Sequence, residues 1–201
     1  MKRIYILLIL FIAIYSVSAQ QPNKAREILD KTAESYRQAG GISISFSGSQ
    51  DGKLLLMKDK FHLITDDIET WFDGKTQWSY LKQNDEVNIT TPTPEELQTI
   101  NPYMLLSVYQ QGFNYQYHGT TTRTGKQGEK VVLTPKDKQE IQSITFEVSK
   151  DFEPLYICIK TSNGQKQEFI IHSFRSHLNL PNNAFQFNPK EHPHVEIIDL
   201  R

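Results

Sequence analysis

The chain's hydrophobic pattern changes period once. Between Asn23 and Gly40-Gly41 the apolar positions Ala25, Ile28, Leu29, Ala33 and Tyr36, with Thr32 among them, recur at steps of three and four. That spacing predicts an amphipathic helix of about four turns, with Asn23 placed to cap its start and the glycine pair to end it. From Ile42 onward the period is two. Ile42, Ile44 and Phe46 alternate with Ser43, Ser45 and Ser47, as a strand with one buried face requires. Asp51-Gly52 reads as a hairpin turn, and short strands follow at Leu54 to Lys58, Phe61 to Thr65 and Ile68 to Phe72. Asp73-Gly74 is a second tight turn, leading into the alternating Thr76 to Tyr80. Glu86 to Thr91 ends this meander before Pro92 and Pro94.

The middle of the chain differs. Thr93-Pro94-Glu95-Glu96 carries a helix start signal, with threonine as cap, proline at the first position and acids in the first turn. Asn101-Pro102 repeats the signal before the apolar Tyr103-Met104-Leu105-Leu106, which predicts a short helix. Strand patterns resume at Phe113 to Tyr117, Lys130 to Thr134, Ile141 to Val148, Leu155 to Lys160 and Gln167 to Phe174. Connections this short join antiparallel neighbours, since parallel ones need a long crossover. The expected fold is mainly β: about 11 antiparallel strands curled into an unclosed barrel, with an N-terminal helix and a short helical segment at its mouth.

The first twenty residues stand apart from this pattern. Met1-Lys2-Arg3 is positive, Ile4 to Tyr15 is an unbroken apolar run, and Val17-Ser18-Ala19 offers acceptable small residues for processing. The run is short for a membrane span and suits a secretory signal, residues 1–19, cleaved after Ala19. Residues 20–201 are then one exported, soluble domain. Its 20 basic and 23 acidic residues give it no global attraction for nucleic acid. The single cysteine, Cys158, excludes an internal disulfide framework and a thiolate metal cluster.

Catalytic patterns are missing. The chain has no G-x-S-x-G elbow, phosphate-binding glycine loop, dinucleotide fingerprint or H-E-x-x-H motif, and nothing in it calls for a cofactor. Cys158 reads as a structural thiol on a strand. His192 and His194 lack a spaced third metal ligand, and Asp66, Asp67 and Glu69 read as a solvated strand edge. No enzyme is expected.

Binding is better supported. Ile44, Phe46, Leu54, Leu56, Phe61, Leu63, Trp78, Tyr80, Phe146 and Val148 are large apolar residues on strands, candidates for one inward lining. For any one of them an ordinary core position is the simpler reading. Taken together, eleven strands make a cylinder too wide for side chains alone to fill, and Tyr103, Met104, Leu105 and Leu106 suit a movable lid over such a hollow.

The order of elements, with Trp71-Phe72-Asp73-Gly74-Lys75-Thr76-Gln77-Trp78-Ser79-Tyr80 and then Asn101-Pro102-Tyr103-Met104-Leu105-Leu106, resembles the periplasmic lipoprotein carrier family LolA, in the form found in Bacteroides-like bacteria. Gly52-Lys53-Leu54-Leu55-Leu56-Met57-Lys58 and the strand end Leu133-Thr134-Pro135 fit the same pattern. The resemblance implies an unclosed antiparallel barrel under a helical lid, with the ten apolar residues as acyl-chain lining. It implies a monomer that takes acylated lipoproteins from an inner-membrane releasing complex to an outer-membrane acceptor. Each acyl methylene removed from water contributes roughly 0.8 kcal/mol, so the chains cannot cross an aqueous space bare. A lipid- or lipoprotein-sensing or assembly protein using the same hollow is the alternative. Where the family often has a basic residue followed by proline, its arginine helping to hold the lid shut, this chain reads Met57-Lys58-Asp59-Lys60-Phe61, which leaves Lys58 to stand in.

Overall fold

The computed structural model describes residues 21–93, 96–97, 109–110, 112–138 and 140–201. The expected signal segment with its cleavage site at Ala19, and the expected lid residues Tyr103, Met104, Leu105 and Leu106, lie outside the described residues.

Helix α1 (Gln21–Gln38) is followed by strands β1 (Gly41–Gly48), β2 (Gly52–Met57), β3 (Lys60–Thr65), β4 (Ile68–Phe72), β5 (Gln77–Leu81) and β6 (Glu86–Thr90). A second run comprises β7 (Phe113–Arg123), β8 (Lys126–Pro135), β9 (Ile141–Ser149), β10 (Pro154–Thr161) and β11 (Lys166–Leu178). A 3-10 turn (Asn182–Phe185) and β12 (Glu196–Asp199) complete the chain. All twelve strands form one sheet, in the order β12-β6-β5-β4-β3-β2-β1-β11-β10-β9-β8-β7. Each run is an antiparallel meander, and the two join where β1 pairs with β11. β7 and β12 do not pair, so the sheet is an open barrel. The expected fold class holds, with one strand more than the sequence pattern supplies.

The local chemistry explains the elements. Along α1, Ala25, Ile28, Leu29, Thr32 and Tyr36 are buried on one stripe, and the Thr32 hydroxyl is satisfied by donating to the Ile28 carbonyl at 2.8 Å. On the exposed side Glu27 pairs with Lys31 and Glu34 with Arg37. Gly40 ends the helix at φ +64°, a left-handed conformation that costs glycine little. At the β4–β5 hairpin the Asp73 carboxylate accepts from the backbone N–H groups of Lys75 and Thr76 at 2.9 and 2.8 Å. Thr93 and Glu96 form a reciprocal capping box: each side chain accepts from the other's backbone N–H.

The sheet's inner face carries α1. One continuous apolar cluster joins the helix stripe to Ile42 and Ile44 of β1, Leu54 and Leu56 of β2, Phe61, Phe72, and the β8–β9 residues Val131, Leu133, Ile144, Phe146 and Val148. The helix sits mainly against β7 and, less, β8. Its N-terminal turn is tied there by Lys24, whose ammonium donates to the Tyr117 hydroxyl at 2.8 Å and to Glu129 at 3.2 Å, while Tyr117 donates to Glu129. Tyr109, 2% exposed, reaches the helix too, its hydroxyl donating to Asp30.

The outer face has its own cover. After β11 the chain crosses the outside of the first meander. Phe185 is fully buried in the turn that lies against β3, and Phe187 packs on Trp71 at 5.5 Å between ring centroids. His192 stacks on Phe187 and meets Tyr80 edge-on at 4.9 Å. The segment then adds β12 parallel to β6. It can run parallel because the crossing over the sheet supplies the long connection a parallel pair needs. Across the other half, Glu147 is 2% exposed on the outer face, gripped in a bidentate pair by Arg123 at 2.9 Å, which itself lies 4.1 Å over the Tyr156 ring.

Each cover can be probed by one substitution. Phe185→Ala empties a sealed site under the crossing segment and is expected to lower unfolding free energy by about 3 kcal/mol, read from urea titration; a change below about 1 kcal/mol would mean the segment does not hold the sheet. Burial first, then the bond to Asp30, pushes the Tyr109 hydroxyl up to about 12. Its contribution is therefore whole below its ordinary value near 10 and is lost as pH rises toward 12. Tyr109→Phe should cost about 1 kcal/mol at pH 7, a deficit that shrinks across that alkaline window in parallel denaturation curves. A deficit constant with pH contradicts the assignment.

Candidate functional site

Strand pairing fixes which side chains share the inner face. In the rows Ile44–Leu54–Leu63 and Ile42–Leu56–Phe61, residues opposite one another on β1, β2 and β3 point the same way. Phe46 lies opposite Ile171 of β11. Ile157 of β10 pairs with Phe146 of β9, and Ile159 with Ile144, all on the inner cluster. The alternation read from the sequence is therefore correct in phase over β1–β3 and β9–β10.

The candidate lining residues divide by exposure. Ile44, Leu54, Leu56, Phe61, Phe146 and Val148 are each 4% exposed or less, locked among one another and under the helix. Phe46 and Leu63 are half-buried on the same cluster. So are Tyr115, Ile157, Ile159 and Phe174, which the sequence reading did not single out. Those residues are the part of the apolar inner face that is not sealed, and a guest could touch them without opening the core. Phe46 is steadied by an edge-on contact with Phe169 at 5.6 Å, and Phe174 by the Tyr36 ring at 5.6 Å. Phase alone marks Ile157 and Ile159 as inward; only the pairing with β9 identifies which strands flank them.

Trp78 and Tyr80 are not with the other eight. Trp71 pairs with Trp78, and Glu69 with Tyr80, on the outer face. There Trp78 and Tyr80 pack with Trp71, Val87, Ile89, Phe187 and Val195 in a second apolar cluster. The expectation of one lining fails at β5 for a physical reason: apolar alternation reports a buried face, and here the buried face is the outer one, covered by the C-terminal crossing. Gln77 and Ser79 take the inner positions instead.

Cys158 is free and half-buried on the outer face, between inward Ile157 and Ile159. His192 is engaged in ring packing, and no three metal-ligating side chains converge among the described residues. Glu69 meets His62 Nε2 at 2.8 Å, again on the outer side. Lys58 occupies the exposed β2–β3 turn with φ +57°. In the helix's first turn, the hydrogen bond to Tyr117 and then that to Glu129 hold the Lys24 ammonium above its ordinary value. The inner face thus offers a broad apolar surface with polar groups at its edge, suited to shape-tolerant apolar binding.

Solved structures of the same architecture are known at low identity. One is an uncharacterized conserved protein from Thermus thermophilus, 14% identical, with a TM-score of 0.62 over 88% of this chain and 99% of that one. Another is LprF from Mycobacterium bovis, 12% identical, with a TM-score of 0.51 over 80% and 98% of the two chains. Such identities speak for the fold alone. No curated protein matches the chain. Among the described residues no helix is long and apolar enough to cross a membrane. The profile of a family described as "Outer membrane lipoprotein carrier protein LolA" matches residues 15–165, which is most of the sheet together with α1, and on that match the chain belongs to the LolA lipoprotein-carrier family.

Proposed function

We propose that this protein is a periplasmic carrier that buries the acyl chains of lipoproteins against the inner face of its open barrel and moves them from the inner to the outer membrane. The observation that carries the reading is the half-buried apolar surface of Phe46, Leu63, Ile157, Ile159 and Phe174, continuous with the sealed core beneath it. Family membership supports the same cargo class. In this reading residues 1–19 are an export signal, residues 20–201 work as one monomeric domain, and Tyr103 to Leu106 form the lid. An inner-membrane complex loads the carrier and an outer-membrane acceptor unloads it.

The physical requirement is reversible burial. Three acyl chains gain roughly 0.8 kcal/mol for each methylene taken out of water, far more than a carrier can hold and still release if every contact were ideal. Rotamer-rich side chains over a firm sheet provide contact without a fixed shape, so affinity stays below what the buried area alone would give. The sealed residues, from Ile44 to Val148, keep the sheet rigid while the half-buried ones accommodate the guest.

Phe46→Glu and Leu63→Glu put a carboxylate on the half-buried rim, where it stays hydrated in the empty protein and faces hydrocarbon in the loaded one. Each is expected to reduce occupancy by a synthetic triacylated lipopeptide about tenfold or more, by native mass spectrometry, with the thermal midpoint little changed. Equal occupancy in variant and wild type contradicts the reading. Uptake of free fatty acid alone by the wild type points instead to a lipid sensor.

A further inference from the structure

The inner face changes character along the sheet. Over β1–β3 and β8–β10 it is mainly apolar, but over β4–β6 the polar Thr70, Gln77, Ser79, Glu86, Asn88 and Thr90 stand between the apolar Phe72 at one end and Ile68 and Leu81 at the other. Thr70, Ser79 and Asn88 form one row across the three strands, continuing directly from Leu63, and Gln77 stands between Phe72 and Thr90. The polar strip therefore adjoins the acyl-facing surface without a break. Surface strands are commonly polar on one side, but this side faces inward, and the side facing out is the aromatic one.

The strip's one charged group is the Glu86 carboxylate, which disfavours a phosphate. Glu86 is engaged by the Asn88 amide, which donates at 2.6 Å. Lys82, at the end of β5, spends its ammonium on the Thr65 backbone carbonyl at 2.6 Å. Gln77 Nε2 donates to Ser79 Oγ at 3.1 Å, while Gln77 Oε1 is shielded from solvent and has no hydrogen-bond partner among the described residues. A carboxamide held this way needs a donor. If its oxygen and nitrogen were exchanged it would need an acceptor instead, and the terminal torsion that presents either atom is soft. A ligand amide supplies both. A phosphate supplies only acceptors and finds no unengaged cation among the described residues of the strip.

Building on the carrier reading, we infer that the Thr70–Gln77–Ser79–Asn88 strip is a head-group subsite that receives the amide-bearing head of an acylated peptide, the N-acyl linkage and first peptide groups, and discriminates against phosphate-headed lipids. The acyl chains then extend from β4 toward Leu63 and Phe46, which orients the guest in the barrel and leaves its peptide at the β6 side.

The test compares two probes built on palmitoyl chains, a tripalmitoyl-cysteinyl-seryl peptide and dipalmitoyl phosphatidylglycerol, each titrated into the wild-type protein and into Gln77→Leu and Ser79→Ala; the lipopeptide's third chain cancels in each ratio of variant to wild type. The wild type should prefer the lipopeptide. Both variants should lose about fivefold in lipopeptide affinity and leave phosphatidylglycerol binding unchanged, the size expected for one or two neutral hydrogen bonds. Losses equal for the two probes, or absent for both, overturn the subsite. A wild type that takes up neither probe overturns the carrier reading beneath it, a result distinct from loss of discrimination. Because Ser79→Ala removes only a hydroxyl, it keeps the test decisive should Gln77→Leu lower the thermal midpoint.

Discussion

A twelve-stranded sheet has two faces to keep from water, and this chain has one described helix longer than a few residues and one crossing segment with which to do it. α1 lies on the inner face mainly beside β7 and β8, and the C-terminal crossing covers the outer face of the first meander. Everything else follows from how the uncovered areas are managed. On the outer face of the second meander, polar positions and the pairing of the half-exposed Arg123 with the buried Glu147 take the place of a cover. On the inner face between β1–β3 and β9–β11, apolar side chains remain half-buried, and that unspent apolar surface is what a carrier offers its cargo.

The pairing of β1 with β11 makes the surface continuous. Without it the two meanders would be separate sheets, each with an exposed edge. With it, Phe46 and Leu63 on one meander and Ile157 and Ile159 on the other belong to a single inner cluster. The sealed layer beneath gives that cluster a rigid floor, since close-packed interiors resist deformation. Openness at the β7 and β12 edges, and rigidity through the middle, suit a protein whose guest must enter and leave.

Much of this is legible in the sequence because period-two alternation survives wherever one face alone is buried. Ile42–Phe46, Leu54–Leu56 and Ile144–Val148 reveal both their strands and their inward phase. The helix is legible for the same reason at a period of 3.6. Legibility fails where the covered apolar face is the outer one. Over β4 and β5 the apolar phase of Trp71, Trp78 and Tyr80 faces the crossing segment, and local alternation carries no information about which face a distant stretch of chain will cover. Phe185, Phe187 and His192, the residues that decide the matter, lie in a segment with no strand or helix period at all. β12 gives no strand signal because four residues with two adjacent isoleucines show no alternation, and its partner β6 is over a hundred residues away. The ends of β7 and β11 extend beyond the pattern because their polar, partly exposed residues follow the backbone ladder and not a hydrophobic period.

That the inner face carries the acyl chains of lipoproteins is tested most directly by purifying the protein from its native cells under mild conditions and weighing it intact by native mass spectrometry. Adducts with the masses of triacylated lipoproteins, lost when the inner face bears a carboxylate in the Phe46→Glu variant, are the predicted result. A protein that is consistently empty, or that carries its adducts equally well with the Phe46→Glu change, would contradict it.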